Sequence, residues 1–116
     1  MTVDNRQLLS LLGLCRAASL ASFGHDAAKA SLRNARAKLC LLCEDASPRL
    51  KEEFKFLANE AQKPLFEIGA TSLDIKRATQ YKAAVLTVDE KGFADNIEHI
   101  LSLRDTPSPP AGGAPS

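Results

Sequence analysis

Cationic side chains follow a lone glycine at helical spacing near the start of the chain. Asp26, Lys29, Arg33 and Arg36 recur three and four residues apart, so a helix beginning after Gly24 would carry them on one face. Glycine permits a sharp turn into that helix, and the first helical amides lack intrahelical partners and carry the positive end of the dipole. Such a helix start can accept an anion or a phosphodiester. Two interpretations follow: a solvated face with an Asp26–Lys29 pair, or a stripe that contacts a nucleic-acid backbone.

Groups that could perform catalysis are few. His25 adjoins Asp26 at the predicted helix start, and His99 lies on the last predicted helix. Neither has a nearby nucleophile, metal partner or glycine-rich phosphate loop in the sequence. Glu44 and Asp45 follow a buried run, and we expect them to cap that turn and complement the dipole of the following helix. The sequence therefore predicts a protein that is not an enzyme and needs no cofactor.

The three cysteines do not form a disulfide framework, because their number is odd. Cys40 and Cys43 have the spacing of a redox or metal pair, but they lie in an apolar run typical of a strand. Residues three apart on a strand point to opposite faces, so these two thiols cannot bind one ion. We expect buried thiols, no metal site and a reducing cytoplasm.

Composition indicates one globular domain with a short tail. The chain has 116 residues, is 45% hydrophobic and 25% charged, and has a net charge of +1. That charge argues against indiscriminate coating of nucleic acid and is compatible with one local basic surface. We predict a domain over residues 1–104 and a disordered tail, rich in proline, glycine, serine and alanine, over residues 105–116. The N-terminal residues lack the features of a signal peptide, and no apolar run approaches the length of a membrane span.

Helix-period and strand-period segments alternate along the domain. Helices are predicted over residues 5–18, from residue 25, from Pro48, over residues 72–80 and from about residue 90, and strands over residues 20–23, 37–43, 65–68 and 83–88. Ser47 is the predicted cap of the third helix, and Thr71 with Asp74 resembles a capping box for the fourth. In the second helix, Ala28, Leu32 and Ala35 form the predicted apolar stripe. The alternation predicts an α/β fold, a three-layer α/β/α sandwich around a small mixed sheet of about four strands, with the first strand making it mixed.

With these elements placed, the chain resembles the bacterial YlxQ-type members of the kink-turn RNA-binding ribosomal-protein superfamily. The matching stretches are Leu-Leu-Gly-Leu-Cys-Arg-Ala-Ala at 11–18, Ser-Phe-Gly at 22–24, Arg-Ala-Lys-Leu at 36–39, Glu-Asp-Ala-Ser at 44–47 and Val-Asp-Glu-Lys-Gly-Phe-Ala at 88–94. Together they extend from about residue 7 to residue 101. The resemblance implies an α/β/α sandwich that binds RNA at a sharply kinked internal loop, where a helix contacts exposed base edges of sheared G·A pairs.

The family's contact helix begins Gly-x-Asn-Glu-x-x-Lys, and this chain departs from that pattern. The corresponding residues are Gly24, His25, Asp26, Ala27 and Ala30, with Lys29 one place before the last. An ionised Asp26 only accepts hydrogen bonds and repels phosphate, and the two alanines form no side-chain hydrogen bonds. Each lost base contact is worth about 1–3 kcal/mol, whereas Lys29 and Arg33 can still neutralise backbone charge.

The second family contact lies in the loop before the last strand, after the pattern Leu-Gly-x-Ala-x-Gly. Residues 75–80 occupy that pattern here with both glycines replaced. The loop that follows carries Tyr81, which either covers the sheet edge or stacks on an unpaired base. The resemblance thus implies an RNA-binding set composed of Gly24, His25, Asp26, Lys29, Arg33, Lys76, Arg77, Gln80, Tyr81 and Lys82.

Three functions remain open from the sequence. The first is non-catalytic binding of structured RNA, a kink-turn or related internal loop, in association with ribosome or ribonucleoprotein components. The second is a protein-interaction module that keeps the fold without kink-turn readout, which the alanines at positions 27 and 30 support. The third is an anion or small-ligand site at the helix start after Gly24.

Overall fold

The computed structural model describes the backbone of residues 3–104 and the side chains of residues 6–102. The predicted tail, residues 105–116, lies outside them. The elements are α1 (Val3–Ala17), β1 (Ala21–Phe23), α2 (His25–Arg33), β2 (Leu39–Leu42), α3 (Pro48–Ala61), β3 (Leu65–Glu67), α4 (Ser72–Thr79), β4 (Val85–Val88) and α5 (Lys91–Arg104). Every predicted helix and strand is present, in the predicted order.

The four strands form one mixed sheet in the order β1-β4-β2-β3. β3 is parallel to β2, and β4 is antiparallel to both β1 and β2. The strand of opposite direction is therefore β4, and the prediction that the first strand would make the sheet mixed is wrong. Because the amide of Cys43, just after β2, donates to the carbonyl of Ala84, just before β4, β4 begins at the edge where β2 ends.

Helices cover both faces of the sheet, which confirms the three-layer α/β/α sandwich. One core lies between the sheet and α1, α4 and α5, and a second lies between the sheet and α2 and α3. Cys40 belongs to the second core and Cys43 to the first, so the two thiols point to opposite faces of the sheet as predicted. Burial raises the pKa of both thiols to about 12. Within the described residues, no helix is long and apolar enough to cross a bilayer.

Local capping follows the sequence at the starts of α3 and α4. The Ser47 hydroxyl accepts the amide of Leu50 at 3.1 Å, with Pro48 in the first helical turn. Thr71 and Asp74 form a capping box, in which each side chain accepts the other's backbone N–H at 3.2 and 3.0 Å. Aspartate at the third helical position therefore replaces the more usual glutamate.

Asp45 caps a different helix from the one expected. It accepts the amide of Ser72 at 2.9 Å and the hydroxyl of Ser72 at 2.8 Å, so it stabilises the start of α4 and not that of the following helix, α3. The two bonds from Ser72 lower the pKa of Asp45. The expectation failed because the chain returns to this edge of the sheet 27 residues later.

The second helix ends earlier than its pattern suggested. α2 stops at Arg33, and Ala35 has a φ of 61° and an exposed side chain, so it does not extend the buried stripe of Ala28 and Leu32. Arg36 lies beyond the helix and turns back toward β1, donating to the hydroxyl of Ser22 at 3.3 Å. It is therefore not part of a helical basic face.

A largely buried carboxylate attaches α2 to the sheet. Asp89, directly after β4, accepts hydroxyl hydrogen bonds from Ser22 on β1 at 2.7 Å, from Ser31 on α2 at 2.7 Å and from Thr87 on β4 at 2.9 Å. Arg36 approaches the same carboxylate at 3.7 Å. The cluster joins three elements and fixes the position of α2.

Candidate nucleic-acid interface

The start of α2 is open to solvent at Gly24. This residue has φ 99° and ψ 168°, a conformation essentially limited to glycine. Its amide donates to the carbonyl of Val85 at 2.9 Å, and a Cβ built on it would meet no atom within 4 Å. No side chain caps the helix start. The first amides of α2 therefore face an uncovered surface.

His25 connects α2 to α3 at this point. Its Nδ1 lies 3.0 Å from Asp26 Oδ1, and its Nε2 lies 3.0 Å from both carboxylate oxygens of Glu53. The imidazole also contacts the Phe54 ring edge-on, with the centroids 5.5 Å apart. The two hydrogen bonds raise the pKa of His25, the bond to Asp26 most and that to Glu53 next.

The predicted Asp26–Lys29 pair is not formed. Lys29 Nζ lies 3.8 Å from Glu53 Oε2, and Asp26, whose side chain is fully exposed, contacts His25 instead. Lys29 is only one-third exposed because it lies against α3. We call Gly24, His25, Asp26 and Lys29, with Glu53 of α3, the α2 tip.

Tyr81 packs on Phe23, the last residue of the edge strand β1 and the residue before Gly24. Its ring stacks on that of Phe23, with centroids 5.7 Å apart and planes at 19°, and the Arg16 guanidinium lies 4.9 Å from its centroid. Tyr81 thus covers the edge strand and still leaves half of its surface exposed. Gln80 before it has a φ of 72° and ends α4, so it adopts a left-handed conformation at a position where the family pattern has glycine.

The other predicted residues lie farther apart. Arg33 is exposed at the last position of α2, about 12 Å from His25 along the helix axis. Lys76 and Arg77 are exposed on α4, and Arg77 pairs with Asp74 at 3.8 Å. Lys82 is exposed and close enough to Asp45 to lower its pKa. The structure therefore groups His25, Asp26 and Lys29 after Gly24, and it places Tyr81 on Phe23, the residue before Gly24. Among the described residues, no hydrogen bond or ion pair joins Lys76, Arg77 or Lys82 to the α2 tip.

Two residues near this surface were missed from the sequence. Arg16 stacks on Tyr81, and Glu53 binds His25 and Lys29. Arg16 lies within a family-like stretch, but nothing local to α1 indicates its distant partner. Glu53 is one of two adjacent glutamates on α3, and only the packing of α3 on α2 distinguishes it from Glu52.

Comparison with known proteins identifies similar chains that bind RNA. No family model matches the chain. It is 31% identical to the RNA-binding protein YlxQ of Bacillus subtilis over 91 residues, which are 78% of this chain and 91% of that protein. It is 26% identical to the RNA-binding protein YlxQ of Enterococcus faecium over 102 residues, 87% of this chain and 98% of that protein.

Solved structures share the fold. A protein of unknown function from Bacillus halodurans has a TM-score of 0.74 at 24% identity, covering 80% of this chain and 94% of that one. The 15.5 kD RNA-binding protein of Giardia lamblia has a TM-score of 0.69 at 15% identity, covering 86% of each chain. At these identities the similarity shows a common architecture.

Proposed function

Because the chain belongs to the family of the RNA-binding proteins named YlxQ, we propose that it is a non-catalytic protein that binds structured RNA through the α2 tip and Tyr81. One observation carries the proposal: the uncapped, open helix start at Gly24 directly follows Phe23, on whose ring the half-exposed Tyr81 stacks. The two features suit the two parts of a folded RNA, its phosphates and its unpaired bases.

The helix start supplies the phosphate contacts. The first amides of α2 and the side chains of Lys29 and Arg33 extend along about 12 Å of helix. Amides at a helix start and cations on the same helix both stabilise phosphate oxygens. This part of the surface contributes affinity and register without sequence preference.

The Tyr81 ring supplies the contact for an unpaired base. Its packing against Phe23 and Arg16 restricts its orientation, so little conformational entropy is lost when a base stacks on it. The Arg16 guanidinium adds a positive charge at the ring and can also donate to a neighbouring phosphate. We propose Lys76, Arg77, Gln80 and Lys82 as outer contacts of the same RNA.

The preferred RNA is a kinked or internally looped helix, within a ribosomal or other ribonucleoprotein particle. We expect weaker recognition of sheared G·A pairs than in relatives that carry the family pattern. Asp26, Ala27 and Ala30 stand at the exposed contact positions, and none of their side chains can donate a hydrogen bond to a base edge. Shape, phosphate contacts and stacking then determine the affinity.

The first experiment measures binding of a kink-turn RNA, a simple hairpin and a duplex at about 50 and 200 mM salt. Lys29→Glu should weaken the kink-turn complex about fivefold. The plot of log affinity against log salt should become less steep, its slope falling in magnitude by about 0.7–0.9. The matched control is Lys91→Glu on α5, which also reverses a lysine in an ion pair, with Asp95 at 3.1 Å. If the protein binds none of the three RNAs at either salt concentration, the proposal is refuted and the protein-interaction module is favoured.

A second experiment separates stacking from charge. Tyr81→Ala should cost about 1–3 kcal/mol of binding free energy with looped RNA and much less with duplex. Tyr81→Phe keeps the ring and should bind like the unchanged protein. Equal losses with looped and duplex RNA would show that Tyr81 does not contact an unpaired base.

A third experiment tests kink-turn readout. The triple variant Asp26→Asn, Ala27→Glu, Ala30→Lys restores the family pattern at three exposed positions, so it should fold normally. Each restored base contact is worth about 1–3 kcal/mol, and we expect at least a tenfold gain for kink-turn RNA over hairpin. No gain would mean that α2 does not meet RNA as it does in the family.

A further inference from the structure

Glu53 of α3 binds the two basic side chains of the α2 tip, His25 and Lys29, within the protein. Its carboxylate bonds to His25 Nε2 at 3.0 Å and lies 3.8 Å from Lys29 Nζ. Both groups would otherwise be free to contact phosphate at the open helix start. RNA phosphate that binds at this tip must therefore compete with the Glu53 carboxylate for His25 and Lys29.

The geometry around His25 selects the charged imidazole. Asp26 and Glu53 are carboxylates on opposite ring nitrogens, each at 3.0 Å, and an ionised carboxylate only accepts hydrogen bonds. Both bonds can form only when both nitrogens carry a proton. The pKa of His25 is raised by these same two contacts.

The charged groups that shift the pKa of His25 are Asp26 and Glu53. Of the elements packed against α2, strands β1 and β4 carry no titratable group, whereas α3 contributes Glu53 and the uncharged Phe54 ring and also carries the exposed Arg49 one turn before Glu53. Asp89 lies at the other end of β4, bonded to Ser22 and Ser31. The charge of the α2 tip thus depends on four side chains, which balance when His25 is protonated and carry one net negative charge when it is neutral.

We propose that Glu53 sets the affinity of the RNA surface and its response to pH: it competes with phosphate for His25 and Lys29, and by stabilising the charged imidazole it moves to higher pH the range over which RNA binding strengthens as the pH falls. This inference rests on the proposed function. Loss of the His25 charge as the pH rises leaves a negative tip that repels the RNA backbone, and protonation removes the repulsion. Since the imidazolium is stabilised in the folded protein, the change occurs above the pH at which an isolated histidine titrates.

The test compares Glu53→Gln with Glu52→Gln. Both remove one negative charge from α3, but the Glu52 side chain is exposed and makes no hydrogen bond or ion pair with any other described residue. Binding of the kink-turn RNA is measured between about pH 5.5 and 8, and His25 is titrated by NMR without RNA. The spectra are simple to assign because the chain has two histidines, and His99→Gln removes the other signal.

For the unchanged protein we expect affinity to rise as pH falls, and for His25→Gln we expect a flat profile. Glu53→Gln should bind at least about threefold tighter at pH 8 and should move the His25 titration to lower pH, whereas Glu52→Gln changes neither. If Lys29→Glu weakens binding but Glu53→Gln equals Glu52→Gln, the role of Glu53 is refuted and the proposed function stands. If Lys29→Glu has no effect, RNA does not meet this tip and both proposals fail.

Discussion

Truncation of Asp89 to alanine should be the most damaging single change to the attachment of α2. The carboxylate is 10% exposed and accepts hydrogen bonds from Ser22, Ser31 and Thr87 at 2.7, 2.7 and 2.9 Å. Ser31 and Thr87 are fully buried, so their hydroxyls would lose their acceptor without gaining water. Each unsatisfied buried hydroxyl costs about 1–3 kcal/mol, and removal of the partly desolvated carboxylate offsets some of that cost.

We therefore expect Asp89→Ala to lower the free energy of unfolding by about 3 kcal/mol, which corresponds to a fall of about 12 °C in Tm for a domain of this size. Urea denaturation followed by far-UV circular dichroism measures the change, provided that the transition is two-state. The matched control is Asp95→Ala, which removes an aspartate that is 61% exposed and paired with Lys91 on the surface of α5. That change should stay within about 0.5 kcal/mol.

A double-mutant cycle locates the effect in the cluster. If Ser31 and Asp89 act as one unit, the cost of Ser31→Ala should largely disappear in the Asp89→Ala background. A difference of less than about 1 kcal/mol between Asp89→Ala and Asp95→Ala would refute the reasoning, because it would show that the buried hydroxyls find other partners.

Three further predictions concern backbone geometry and capping. Gly24→Ala should lower the free energy of unfolding by about 1–3 kcal/mol through backbone strain alone, since its Cβ meets no atom within 4 Å. The altered helix start should also weaken RNA binding. An unchanged Tm would contradict the φ of 99°. Gly13→Ala places a Cβ 2.9 Å from the carbonyl oxygen of Ala78 and should cost about 1–3 kcal/mol. Gly92→Ala places a Cβ 3.1 Å from Glu90 Oε1, which accepts the Phe93 amide; this side chain can shift where a backbone carbonyl cannot, so the cost should be smaller, and equal thermal melts would refute this contrast. Ser47→Ala removes the α3 cap and should cost about 0.5–2 kcal/mol in urea denaturation, with Ser47→Gly costing only a few tenths.

Long-range contacts account for the features that the sequence did not predict. Lys29 was expected to pair with Asp26 within α2, but its partner Glu53 lies on α3. Asp45 was expected to interact with the start of α3, yet its partner Ser72 begins α4. Arg16 and Tyr81 meet because α1 and the loop before β4 converge beside the edge strand. Sequence spacing carries no information on such pairs, since they depend on strand order and on which helices share a face of the sheet.

The sequence by itself determined the helices and strands, the caps at Ser47 and Thr71, and the opposite orientations of Cys40 and Cys43. These features follow from hydrophobic period and from hydrogen bonds between residues a few positions apart, which are the same wherever the segment lies. The tertiary structure alone decided that β4 reverses the sheet, that α2 ends at Arg33 and is attached through Asp89, and that Glu53 meets His25 and Lys29. Those outcomes required the packing of two helical layers on one sheet, because only that packing brings distant side chains within bonding distance.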